Sequence, residues 1–110
     1  MRRSSDVGGS PQLRIGELEV DLADRRVTRA GEEVHLTPIE FDLLRALVQH
    51  RGRLVTHRQL LREVWGPEYG AETHYLRVHV AHIRAKLERD AARPEYLITE
   101  PGVGYRLREP

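Results

Sequence analysis

The 110-residue chain has no cysteine, one methionine, one tryptophan, one phenylalanine and a single lysine among its eighteen basic residues. Without a thiol there is no disulfide framework, thiolate metal site or cysteine nucleophile, and a reducing cytoplasm is the expected setting. No apolar run approaches the roughly 18 residues that would cross a bilayer. The opening MRRSSDVGGSPQ puts two arginines before no apolar core, so it does not read as a secretory signal. Its Gly, Ser and Pro content makes residues 1–12 a linker or tail. At 39% hydrophobic and 32% charged, the chain suits one globular domain over residues 13–108, with little left for a deep catalytic cavity.

The net charge of +1 conceals two unlike halves. Residues 13–50 hold five arginines against eight acids, and residues 51–108 hold eleven arginines and lysine against seven. A basic carboxyl-terminal half is what a face that meets a polyanion requires, although a genome-wide preference for arginine codons produces the same count.

From Leu13 to Leu36 the runs LRI, LEVDL, RVTR and EVHL alternate apolar and polar residues between turn signals, which predicts three or four short antiparallel strands. At Thr37 the period changes. The segment TPIE offers a capping threonine, a proline preset for the first helical turn and a glutamate that can reach back to the cap. Ile39, Leu43, Leu44, Leu47 and Val48 then recur at helical spacing until Gly52 stops the run. Arg53 to Val55 supply a short strand. Thr56 with Gln59 repeats the capping pattern for a second helix, whose stripe Leu60, Leu61, Val64 and Trp65 ends at Gly66-Pro67. The stretch Gly66–Glu72 is predicted as an irregular loop with an exposed Tyr69.

A third helix is predicted from Thr73 to Arg89, with Leu76, Val80, Ile83 and Leu87 on its buried face. At about 100° per residue, His74, Val78, Ala81, His82 and Ala85 then point outward, edged by Arg77 and Arg84 on one side and by Tyr75, His79 and Lys86 on the other. Small apolar residues between cationic rims suit a DNA major groove. The slim face admits the helix, methyl groups meet thymine methyls, and the rims neutralise phosphates. Val78, Ala81, His82 and Arg77 are the candidates for reading base edges. Arg84 stands on its rim with no packing task of its own. Tyr96–Glu100 and Tyr105–Arg108, joined by Pro101-Gly102-Val103-Gly104, read as a terminal hairpin. Strands, three helices and a hairpin make an α+β winged helix-turn-helix, in which the last helix enters the groove and the hairpin is the wing.

No catalytic constellation is present: there is no Gly-rich phosphate loop, no G-x-S-x-G and no H-E-x-x-H. His74, His79 and His82 have no carboxylate at helical spacing to complete a metal site, so neither metal nor cofactor is expected. The competing reading is a winged-helix docking module that binds a protein through the 66–72 loop.

The blocks LTPIEFDLL, GRLVTHRQLLREVWG, VHVAHIRAKL and ITEPGVGYRL, in this order and spacing, resemble the effector domain of OmpR/PhoB-type two-component response regulators over about residues 13–108. Within that family the stretch from Arg58 to Leu107 looks like regulators of a high-affinity potassium-uptake operon. The resemblance implies double-stranded DNA as partner, with dimers on direct-repeat half-sites. It also implies a receiver domain switched by a sensor kinase in the full-length protein, and RNA polymerase contact through the loop of Pro67, Glu68 and Tyr69. Residues 1–36 hold no cluster of acids resembling a receiver, so the chain looks like an isolated effector half.

By the same resemblance Trp65, His74, His79, Arg84 and Thr99 match phosphate-contacting positions, joined on the rim by Tyr75 and Lys86. Gly102 and Gly104 shape the wing turn, with Tyr105 packed beneath. Two departures bear on the target. Ala81 and His82 stand where the family's best-known member has arginines, and Pro101 occupies its minor-groove arginine position, for which Arg106 is a candidate substitute.

Overall fold

The computed structural model describes residues 12–50 and 52–108; the proposed linker lies outside them except for Gln12, which opens the first strand. Four antiparallel strands come first, in meander order: β1 Gln12–Ile15, β2 Leu18–Asp21, β3 Arg26–Arg29 and β4 Glu32–Val34. Their period-2 pattern sets the register. Leu13, Val20, Val27 and Val34 form one apolar row across all four strands, while Arg14, Glu19, Thr28 and Glu33 form a polar row on the other face. The β3–β4 link is a two-residue turn with Ala30 at φ 52° and Gly31 at φ 83°, the left-handed pair that matches strand twist.

Helix α1, Pro38–Gln49, begins with the predicted capping box: Glu40 N–H donates to Thr37 Oγ1 at 3.2 Å and Thr37 N–H to Glu40 Oε1 at 3.0 Å. It ends before Gly52, on His50, and Gly52 at φ 80° turns the chain beyond it. Arg25 holds the sheet to this helix, its guanidinium 4.4 Å over the Phe41 ring and 3.1 Å from Asp42 Oδ1.

The short strand falls at Val55–Thr56 (β5), one residue later than its predicted end. Thr56 also caps α2, His57–Val64, by accepting from Gln59 N–H at 3.1 Å. Only half of that capping box forms, because the Gln59 amide turns to Glu63 Oε2 at 3.1 Å. Helix α3 spans Thr73–Leu87, two residues shorter than predicted: Glu88 is already extended at ψ 147°. The hairpin strands are β6 Leu97–Glu100 and β7 Gly104–Leu107, and β7 lies between β5 and β6 in a second, three-stranded sheet.

Leu76, Val80, Ile83 and Leu87 are all buried, as the stripe requires, against α1 and α2. With Leu43, Leu44, Leu47, Leu60 and Leu61 they form the centre of one core, and each buried side chain of this size contributes about 1.5–3 kcal/mol. Burying one stripe of α3 fixes its rotation about its axis, which determines the residues it offers to solvent.

Candidate nucleic-acid interface

On the outer side of α3, His74, Arg77, Val78, Ala81, His82, Ala85 and Lys86 are exposed, and Tyr75, His79 and Arg84 are half-buried. Val78 is 49% exposed despite its apolar side chain. Among the described residues the Arg77 guanidinium has no hydrogen-bond or ion-pair partner, and its charge reaches the Tyr105 phenol beside the small residues.

The other rim cations are engaged. The expectation that Arg84 lacks a packing task is overturned: Nε and Nη2 donate to Leu97 O at 3.1 and 2.7 Å, and Nη2 to Thr99 Oγ1 at 2.6 Å. Burial lowers its pKa from the ordinary arginine value, opposed by nearby Tyr105 and Glu88, and leaves it a cation. Burial likewise raises the Tyr105 phenol, against the pull of Arg84 and Arg77. Lys86 Nζ lies 2.7 Å from Glu40 Oε1, and His82 Nδ1 lies 3.7 Å from Glu40 Oε2. Glu40 is only 3% exposed. Burial opposes its charge, but the hydrogen bonds from Lys86 and Thr37 and the positive fields of Lys86 and His82 outweigh that and hold its pKa below the ordinary glutamate range.

Trp65, the C-cap of α2, is half-buried with its ring 5.3 Å from that of His79 and 5.7 Å from that of Tyr75. His79 Nδ1 is 2.8 Å from Tyr75 O, and since a carbonyl only accepts, this nitrogen carries the proton and Nε2 faces the other way. His74 stacks edge-on against Tyr75 at 4.6 Å. Tyr69, read from the sequence as exposed, is half-buried with its ring 6.2 Å from Tyr75, leaving Pro67 and Glu68 as the outward residues of the loop. Aromatic contact area outweighs the loop's polar composition here.

At the wing, Gly102 takes φ 76°. A Cβ on Gly104 would sit 2.0 Å from Val55 O, so only glycine lets β7 approach β5 this closely. Thr99 is exposed on β6. Arg106 stands on the body of β7, paired with Glu100 Oε2 at 3.3 Å, whereas the tip carries Pro101, Gly102 and an exposed Val103. Among the described residues no three His, Asp or Glu side chains converge to hold a metal, and no helix is long and apolar enough to cross a membrane.

Sequence reasoning missed one residue that shapes this face. Glu88, 5% exposed, accepts from the N–H groups of Glu95 at 2.7 Å, Tyr96 at 3.0 Å and Leu97 at 2.8 Å, tying the end of α3 to β6. Its only signal in the sequence is an acid one turn after Arg84, at a helix end where acids are disfavoured.

Residues 31–107 match the family described as "Transcriptional regulatory protein, C terminal". The chain belongs to this OmpR/PhoB-type effector family. The effector domain is 50% identical over 106 residues to the KDP operon transcriptional regulatory protein KdpE of Escherichia coli, a match covering 96% of this chain and 47% of that protein. It is 42% identical over 110 residues to the DNA-binding response regulator MtrA of Mycolicibacterium smegmatis, covering 100% of this chain and 48% of that protein. The chain thus spans about half the length of these curated relatives. Among solved structures, the Klebsiella pneumoniae RstA DNA-binding domain in complex with the RstA box superposes with a TM-score of 0.79 at 29% identity, over 88% of this chain and 96% of that one. The winged-helix architecture read from the order of elements is therefore shared with domains of this family.

Proposed function

We propose that this effector domain binds double-stranded DNA sequence-specifically, with α3 in the major groove and the β6–β7 wing along the backbone. The observation that carries the reading is the exposed face of α3: Val78, Ala81 and Ala85 leave room for a groove wall, and Arg77, His74 and His82 stand beside them. Val78, Ala81, His82 and Arg77 read base edges. Phosphates are met by Trp65, His74, Tyr75 and His79 at the α2–α3 end, by Lys86 on the rim and by the Thr99 hydroxyl on the wing. His79 Nε2 donates to a phosphate only as imidazolium, because Nδ1 already carries the neutral ring's proton. With an uncharged tip, the wing contributes shape and backbone contact in place of an arginine in the minor groove.

In the longer protein the domain is linked to a receiver domain phosphorylated by a sensor kinase, and two copies occupy direct-repeat half-sites, which raises the modest affinity of one domain. Pro67 and Glu68 offer the loop to RNA polymerase. The 50% identity to KdpE supports a potassium-uptake operon as the target.

Selection of bound duplexes from a random pool at two salt concentrations tests this directly. One sequence class, enriched at both, is expected, and it should match a potassium-uptake promoter. Arg77→Ala should weaken binding and lower the salt slope by about 0.9 if its guanidinium also touches a phosphate, while His82→Ala should change which base is preferred at one position. A flat pool at both salt concentrations refutes the reading and leaves the loop as a protein-docking surface.

A further inference from the structure

Strand β6 lies at the edge of its sheet, hydrogen-bonded on one side to β7. An edge strand leaves a row of backbone N–H and C=O groups facing outward, and here that row faces α3. The end of α3 meets it at Leu97. Arg84 donates twice to Leu97 O, and Glu88, four residues on, accepts from Tyr96 N–H and Leu97 N–H. Leu97 is therefore held by both its C=O and its N–H, as a neighbouring strand would hold it, by one side chain of α3 and one of its C-cap. The same guanidinium donates to Thr99 Oγ1, two residues further along the wing. With its oxygen taken as acceptor, the Thr99 hydroxyl has its proton left to donate outward.

We propose that Arg84 and Glu88 are positioning residues that lock the wing to the groove-reading helix and aim the Thr99 hydroxyl. This rests on the DNA reading above and deepens it. In place of a phosphate ligand at Arg84, it gives the residue a structural grip: a half-buried guanidinium with Nε and Nη2 bonded to β6 is not free to swing to the backbone of a duplex. Both DNA-contacting elements then meet the helix as one body, and the order of the wing is established before binding, so association does not lose affinity to ordering it.

Arginine and lysine separate the two roles, because lysine keeps the charge and cannot reproduce a two-nitrogen grip on one carbonyl together with a bond to Thr99. The test uses the whole 110-residue chain as wild type, Arg84→Lys and Arg84→Ala, titrated with a duplex recovered from the selection at several salt concentrations. Amide hydrogen exchange is followed at Tyr96, Leu97 and Thr99 without DNA. Positioning predicts that lysine fails to rescue: both variants lose about tenfold in affinity, the salt slope stays at the wild-type value, and exchange at Leu97 accelerates about tenfold. Glu88→Gln should accelerate exchange at Tyr96 and Leu97 in the same way. Wild-type affinity in Arg84→Lys, with a slope reduced by about 0.9 only in Arg84→Ala, would overturn the proposal in favour of a phosphate contact. Unchanged exchange in both Arg84 variants would overturn it independently of DNA. Failure of the wild-type chain to select any duplex would instead remove the DNA reading itself, and the exchange measurement would still report on the grip.

Discussion

Glu88→Ala is expected to destabilise the domain by about 3 kcal/mol. Three backbone N–H groups use this carboxylate. Tyr96 and Leu97 are buried, at 5% and 0% exposure, whereas Glu95 is exposed and its N–H can turn to water. Each buried donor left without an acceptor costs about 1–3 kcal/mol, so two give about 2–6, and partial entry of water brings the expectation to the lower half of that range. The helix dipole argues the opposite way. Glu88 is the C-cap of α3, where a negative charge is unfavourable by up to about 1 kcal/mol, so a purely dipolar account has the alanine variant more stable. Burial should win by its larger magnitude. In urea unfolding followed by far-UV circular dichroism, the midpoint should fall at an unchanged m-value, and the melting temperature by about 12–24 °C for a domain of this size. Glu88→Gln, whose amide oxygen still accepts, should lose about 1 kcal/mol. A loss below about 1 kcal/mol for alanine, or any gain, would refute the assignment of these bonds.

Glu40 makes stability depend on pH in a defined sense. Its folded pKa lies below the ordinary range, so its contribution is complete above that range and disappears as pH falls through the folded value. The groups facing it are Lys86 and His82 from α3 and the Thr37 N–H from its own cap. Accordingly, the stability difference between wild type and Lys86→Met in urea titrations should be largest near pH 7 and narrow toward pH 3; a difference constant across that range contradicts the pairing. Gly104→Ala places a methyl group on the backbone oxygen of Val55 and should cost several kcal/mol by overpacking, with loss of the cross-peaks between Thr56 and Gly104 in nuclear Overhauser spectra. Retention of wild-type unfolding behaviour in that variant would show that β5 is free to withdraw.

Local signals carried most of the architecture. The TPIE cap, the stripe on α3 and the alternation from Leu13 to Val34 each depend on neighbours within a turn or a strand, so period and cap chemistry suffice to read them. The outward face of α3 follows from the same stripe, which is why Val78, Ala81 and His82 could be named from the sequence. What could not be read depends on partners brought together by folding. Arg84 and Thr99 are 15 residues apart, Lys86 and Glu40 are 46 apart, and neither separation has a periodic signature. Tyr69 looked exposed because its loop is polar, yet its ring packs on the core with Tyr75 6.2 Å away. The end of α3 moved two residues inward where the Glu88 carboxylate turns to the backbone of β6, and at Gln59 the expected second half of the capping box gave way to a bond with Glu63.

The aromatic stack has a practical outcome. Trp65 is the chain's sole indole; at the end of the second helix its ring lies against Tyr75 and His79, both on α3, with the loop's Tyr69 against Tyr75 in turn. Its fluorescence is therefore expected to work as an intrinsic reporter, free of any attached dye, for any event that shifts the His79 or Tyr75 ring against it.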